Sequence, residues 1–431
     1  MIGFGKLSLK EYGIPFSFGG KLGSLLLLPL IFGIGWIIAS RENFFRKFRF
    51  PLIPFFLFLL WIGTISCFHM DQAAGAPSSD GTPTLLYFLS GLGTLFLTFC
   101  ALRDPDILKK ILLCLILGMV ATVLRGGVDY FFSEGKFEVT GSCDQRLFTP
   151  FGHPNFLGGA LLLILPFAWT FEWKLLCKTK IKSQALGRFL GWLVNGILAL
   201  GLLFSYSRSA WLGTGISLLC LLFFCFRKQI LWGAIILFSV SILVILSFSK
   251  PCTPWNIPGN NPLLSRFYSL LDFKNDPNVI ERIYAWKTAL HIASDHALVG
   301  IGPGNDRFKK EFTQKREAES MLLMPHAHNV LIQIAVVFGF PGLVFFVILA
   351  GGGIFRALVS RQEHEKWERL EPFPKSLHIA CLCSAIGFFF YSLLDCPLFA
   401  DRVSPLFWAL VGISYSTHLK ITSTSKSVTA Q

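Results

Sequence analysis

Two histidines, His326 and His328, stand in the run Pro325-His326-Ala327-His328-Asn329 at the lip of a long apolar stretch. Ionisable side chains beside a span of hydrocarbon length are expensive to keep, so they mark a candidate reaction centre at a membrane–water boundary. An imidazole that titrates near neutrality can take a proton from a hydroxyl nucleophile. Three arginines also lie just outside apolar runs or in the polar segment before the histidines. They are Arg146 in Asp144-Gln145-Arg146-Leu147, Arg208 in Tyr206-Ser207-Arg208-Ser209-Ala210-Trp211, and Arg282 in Glu281-Arg282-Ile283-Tyr284-Ala285-Trp286. Guanidinium groups hold phosphate oxygens through bidentate, charge-assisted hydrogen bonds. Arginines on a diphosphate leaving group, with a histidine base beside it, describe a transfer to a hydroxyl that needs no metal and no cofactor.

Each feature also has a plainer reading. An arginine at a helix end commonly snorkels to the interface. Arg282 could be a solvated residue on an amphipathic loop helix, because Ile283, Trp286 and Leu290 recur at i, i+3 and i+7 and predict a stripe facing a core. Histidines at i and i+2 on a helix point to different faces. No HxxxH pair or acidic triad lies nearby, so no metal site is expected. The run Gly300-Ile301-Gly302-Pro303-Gly304 lacks the GxxxxGK[ST] pattern and reads as a turn after a helix. Several outward arginines on one face nevertheless run against the positive-inside tendency, which favours function.

The elements that position these residues are set by composition. The chain has 431 residues, of which 53% are hydrophobic and 15% charged. Ordinary soluble domains carry about 25% charged residues. A soluble multi-domain enzyme is thereby excluded, and the net charge of +14 speaks to topology rather than to nucleic acid. Apolar runs near the 20 residues a transmembrane helix needs occur at 23–40, 51–68, 84–102, 108–124, 156–173, 189–206, 209–226, 229–248, 328–355, 376–396 and 403–418. The expected fold is an all-α polytopic membrane protein of about 11–12 transmembrane helices with one large external loop. Its parts are N-terminal helices over 1–248, the large loop over 249–325, and C-terminal helices with a tail over 326–431.

Basic residues orient the spans. With the 41–50 loop inside, the inner loops hold 21 of the 39 Lys and Arg residues and the outer ones 18, ten of these in the long loop. Long loops translocate regardless of charge, so the comparison that matters is 21 against 8. The N-terminus is then outside, the C-terminus inside, and the histidine pair, the long loop and the 125–155 segment share the external face. Most of the eleven cysteines lie in apolar runs and act as small hydrophobes. Cys143 and Cys252 fall in external segments, where a disulfide is open to them.

The chain resembles the O-antigen ligase/polymerase superfamily of bacterial membrane glycosyltransferases. The matching stretches are Phe151-Gly152-His153-Pro154-Asn155-Phe156-Leu157-Gly158, Ser207-Arg208-Ser209-Ala210-Trp211-Leu212-Gly213, and Arg282 with Trp286 and Gly300-Ile301-Gly302-Pro303-Gly304. His326-Ala327-His328-Asn329-Val330-Leu331 with Gly339 and Gly342 completes the set, which runs in order over about 140–345 and extends weakly to Asp395. The resemblance implies a multi-pass protein of the bacterial inner membrane whose active site faces the periplasm. It further implies an undecaprenyl-diphosphate-linked glycan as donor, and an acceptor that is a glycan, a lipid A core sugar or a protein. In these terms Arg146, Arg208 and Arg282 engage the donor diphosphate and His328, with His326 beside it, activates the acceptor. Polymerase chemistry, joining repeat units, uses the same donor site. Some similar chains are described as inorganic-carbon transporters, but an anion or bicarbonate pathway would need ionisable residues at mid-membrane, and the spans here are nearly free of them.

Overall fold

The computed structural model describes residues 51–70, 81–101, 105–132, 147, 149, 151, 153–171, 181–225, 277–315, 324–362, 372–400 and 402–415. The expected spans at 23–40 and 229–248, together with Arg146, Cys143 and Cys252, lie outside the described residues. Within them the regular structure is helical throughout, as expected of an all-α membrane protein. The helices are α1 (Leu52–Met70), α2 (Gly81–Ala101), α3 (Pro105–Phe132), α4 (Pro154–Thr170), α5 (Ile181–Phe204) and α6 (Arg208–Cys225). They continue with α7 (Pro277–Asp295), α8 (Asn305–Lys315), α9 (Val330–Gln362), α10 (Pro372–Ser392) and α11 (Ser404–Tyr415), with a 3₁₀ turn at Pro397–Phe399. Apolar sequence without water must satisfy its backbone internally, which leaves helices as the solution. Among the described residues, four helical stretches are long and apolar enough to cross a membrane: Leu108–Asp129, Ala185–Phe204, Val330–Arg356 and Lys375–Ser392. Shorter apolar helices, among them Pro154–Thr170 and Arg208–Phe224, pack with them.

The centre of the bundle is α4, buried almost continuously from Leu157 to Ala168. It packs against α10 and α6, which also pack on each other. Small residues set that distance, as close helix approach in a bilayer requires. A Cβ on Gly213 would stand 2.7 Å from the Gly387 carbonyl oxygen, and one on Gly387 would overlap the Gly213 carbonyl. Ser217 Oγ donates to the Cys383 carbonyl at 2.8 Å, and Ser384 Oγ to that of Leu163 at 2.9 Å. The outer helix α5 instead turns Phe189, Leu193 and an 80%-exposed Trp192 away from the protein, a surface suited to hydrocarbon.

The helix α9 is broken. Gly339 has φ 71 and ψ 175, and Pro341 follows it. The break frees backbone groups that the segment between α7 and α8 takes up. Ile301 N donates to Val336 O at 2.8 Å, Gly302 N to Val337 O at 3.0 Å, and Phe340 N to Ala297 O at 2.8 Å. A side chain on Gly339 would overlap the Leu298 carbonyl, and Gly300 and Gly302 likewise have positive φ. The glycine run is therefore a turn after a helix, as its sequence suggests, and it clamps the long loop onto a broken membrane helix. Arg307 adds a second tie: its Nη2 donates to the His69 carbonyl at the C-terminal end of α1, at 2.5 Å. Helix ends leave carbonyls without intrahelical donors, and Arg307 serves one of them.

The long segment before the histidines is thus more than a loop. Over 277–315 it folds into α7 and α8, which bury Ala285, Ala289, Ile292, Phe308 and Phe312 in a second core with Ala335 and Val336 of α9. The expected apolar stripe on α7 is corrected by this packing. Ile283 and Leu290 are 44% and 51% exposed, while Glu281, Ala285, Thr288, Ala289 and Ile292 form the buried face. That face packs against α9.

Candidate functional site

Of the polar residues singled out in the sequence, the described ones (Arg208, Arg282, His326 and His328) gather at one end of the bundle, where α4, α6 and α9 begin and α10 ends. Pro325–Asn329 is not helical, and His328 adopts a left-handed φ of 50. The expectation that the two imidazoles face apart rests on helical spacing and does not hold. Their ring centroids lie 4.1 Å apart, and His326 Nδ1 accepts from the His328 backbone N–H at 3.3 Å. The segment is pinned on every side. Ala327 N donates to Gln333 Oε1 at 2.7 Å, and Trp286 Nε1 of α7 to the His328 carbonyl at 3.4 Å. Asn329 caps α9 by accepting from Leu331 N and Ile332 N at 3.0 and 3.2 Å. Its Nδ2 donates to the Leu393 carbonyl at the end of α10, at 3.1 Å, so one side chain serves two helix ends.

Asp395 is the acid beside the histidines, and the chain holds it 67 positions beyond His328. It lies three residues past α10, is 1% exposed, and sets Oδ1 3.5 Å from His328 Nδ1. Asn155 Nδ2 donates to Asp395 Oδ2 at 2.8 Å, and the Cys396 N–H to Oδ1 at 2.8 Å. The Tyr391 hydroxyl in turn donates to the Asn155 carbonyl at 2.6 Å, and His153 Nδ1 caps α4 by accepting from Asn155 N at 3.1 Å. The FGHPN motif therefore brings an asparagine to the carboxylate.

Electrostatics at this cluster follow from burial and from the mutual charges of His328, His326 and Asp395, with Arg282 adding a smaller contribution. Burial alone would raise the Asp395 pKa, but the adjacent His328, with Arg282 and His326, more than offsets it and holds the carboxyl well below the usual range. His326 moves the other way. Desolvation first, then the neighbouring His328, with smaller contributions from His153 and Arg282, bring it down to about 3 against the opposing charge of Asp395. His326 is accordingly neutral at physiological pH. Arg282, on the first turns of α7, is the arginine whose charge reaches both Asp395 and His326. Arg208 opens α6 after the tight turn at Tyr206, where φ is 50 and the Trp211 indole donates to the Leu202 carbonyl at 2.9 Å. That turn packs on α4 one helical turn past Asn155, since a Cβ on Gly158 would meet Ala210 at 2.7 Å and Ser207 at 3.1 Å. Arg208 thus stands at the same end of the bundle as the histidines.

His326, His328 and Asp395 each offer one ligand atom within 4.8 Å of the others, so the donor set for a metal ion exists, contrary to the sequence-based expectation. The spacing that hid it is plain: the acid stands 67 positions after His328 in the chain. Asp395, Asn155, Asn329 and Trp286 stood in the sequence only as members of the stretches that carry the resemblance, with no role assigned to them. Asp395 carried one further signal, an aspartate closing a long apolar run, since a buried charge in such a place is functional by default.

An all-α membrane bundle bearing a His–Asp–Arg centre at one end defines a polytopic membrane protein with a built polar site. Residues 193–347 match the family model described as O-antigen ligase, just over a third of the chain, which bears out the resemblance to the O-antigen ligase/polymerase superfamily. The matched stretch contains Arg208, Arg282, His326 and His328, and leaves Asn155 and Asp395 outside it. No curated protein matches the chain.

Proposed function

We propose that the protein is a membrane glycosyltransferase of the O-antigen ligase type, taking glycan from an undecaprenyl-diphosphate-linked donor at the periplasmic face of the inner membrane. The observation that carries this reading is the contact of His328 with buried Asp395 beside Arg282. A carboxylate facing Nδ1 favours the tautomer with its proton on that atom and a free lone pair on Nε2, following the logic of hydrolase triads. His328 Nε2 takes the proton of the acceptor hydroxyl. The acceptor oxygen then bonds to the anomeric carbon as the bond from that carbon to the diphosphate oxygen breaks. Undecaprenyl diphosphate leaves with the electron pair, and its charge is held by Arg282, Arg208 and Arg146. The acceptor is a sugar of the lipid A core, another glycan or a protein side chain. Polymerase chemistry uses the same atoms with a second lipid-linked repeat as acceptor.

The test is transfer in vitro from purified lipid-linked glycan to candidate acceptors. Arg282→Lys keeps the charge and loses the planar fork, so its transfer rate falls while expression holds. Losing one charged hydrogen bond to phosphate costs about 1.5–3 kcal/mol, or roughly 10–150-fold. Native rates in Arg282→Ala and Arg208→Ala at equal protein levels would remove the diphosphate clamp from the mechanism.

Orientation has its own test. In a background without accessible native thiols, a cysteine replacing the exposed Ser294 of α7 reacts with an impermeant maleimide added outside spheroplasts. A cysteine replacing the exposed Ala185, at the other end of α5, reacts only after lysis. The reverse pattern would place the site on the cytoplasmic face and defeat the periplasmic reading.

A further inference from the structure

We infer that His326, His328 and Asp395 form a binding site for a borderline divalent cation of the Zn²⁺ class, and that its occupancy switches off His328 as a base. Two observations carry this. First, the three ligand atoms converge within 4.8 Å, drawn from the segment before α9 and the loop after α10. Second, His328 Nδ1 is buried and makes no hydrogen bond, although Asp395 Oδ1 stands 3.5 Å away. That separation is long for a hydrogen bond. It is close to the roughly 3.3 Å between neighbouring ligands of a tetrahedral ion with bonds of about 2.0–2.1 Å. Two imidazoles and one carboxylate, with a fourth position open, are the donor set Zn²⁺ takes at three-ligand sites.

The surroundings support the ligands in the manner of a metal site. Asn155 Nδ2 and the Cys396 N–H fix the Asp395 carboxylate, each at 2.8 Å. His326 gives up only a 3.3 Å contact from the His328 N–H in turning a lone pair to an ion. Arg282 opposes a cation here, since its charge reaches both Asp395 and His326. Binding is therefore weaker than at a dedicated structural zinc site, and reversible.

Inhibition follows from the single lone pair of a neutral imidazole, and this step rests on the general-base reading above. An ion on Nδ1 holds the tautomer with its proton on Nε2, the atom that must accept the acceptor's proton. The ion and the base reading compete for one histidine.

The probe is Co²⁺ added to the purified full-length protein in detergent, followed by its visible d–d absorption, with Zn²⁺ as competitor. A band of four-coordinate intensity appears in the native protein, is displaced by Zn²⁺, and is lost in both His326→Ala and Asp395→Asn. In the transfer assay Zn²⁺ inhibits the metal-free protein at the concentrations that displace Co²⁺, and EDTA restores the rate. Absence of the band in the native protein, or its persistence in both variants, overturns the site. A metal-free protein that transfers glycan at full rate without binding Co²⁺ leaves the base reading intact and removes the metal. A protein that binds Co²⁺ through these residues and transfers equally fast with it overturns the switch, and with it the role of His328 as base.

Discussion

His328→Asn lowers glycan transfer by about 10²–10⁴-fold while leaving binding of the lipid-linked donor nearly unchanged, because only the proton acceptor is lost. Asparagine is the informative replacement. Position 328 has a left-handed backbone, which asparagine tolerates and alanine adopts with strain. The backbone contacts of the segment, from Ala327 N to Gln333 and from Trp286 to the 328 carbonyl, remain available. Single-turnover transfer and donor binding, measured on the same preparation, separate the two effects. Native turnover in this variant would shift the base to His326. Native turnover in His326→Ala, and in the double variant as well, would end the catalytic reading of the pair.

Asp395→Ala lowers stability by about 1–3 kcal/mol, the cost of leaving buried hydrogen-bond donors without their acceptor. The carboxylate, 1% exposed, accepts from Asn155 and Cys396 and faces His328, so its removal leaves both donors without their acceptor. Asp395→Asn divides structure from chemistry. Its amide fits the same space, and Asn155 can turn its own amide over to meet it, so thermal stability stays near that of the native protein. Transfer still falls by roughly 10–150-fold, because the charge that orients the His328 tautomer is gone. The measurement is the melting temperature in detergent beside transfer per folded protein. An asparagine variant with native transfer would reduce Asp395 to a structural role.

The membrane class, the helix order and the candidate chemistry were legible along the chain because each rests on local physics. Apolar runs of bilayer length must be helical, so the starts of α1, α4, α6 and α9 fall within a few residues of the runs read at 51, 156, 209 and 328. The glycines at 300–304 signalled a turn without any knowledge of its partner. What needed the tertiary structure was every relation between distant segments. The α7 stripe was misread because periodicity reports an apolar face, whereas burial depends on what lies opposite. The face that meets α9 carries Ala285, Ala289 and Ile292, and Ile283 and Leu290 lie off it. The histidines were expected to diverge because helical spacing was assumed; Asn329 caps the helix one residue after His328, so the pair is not helical at all. Asp395 and Asn155 are separated by 240 residues and meet because Gly213, Gly387 and Gly158 let α4, α6 and α10 approach closely. The sequence by itself determined that this protein lives in a membrane and sets histidines and arginines beside the ends of its apolar runs. Only the packing of helices far apart in the chain decided that a buried carboxylate completes the site, since no local pattern encodes which loop ends will share one end of a bundle.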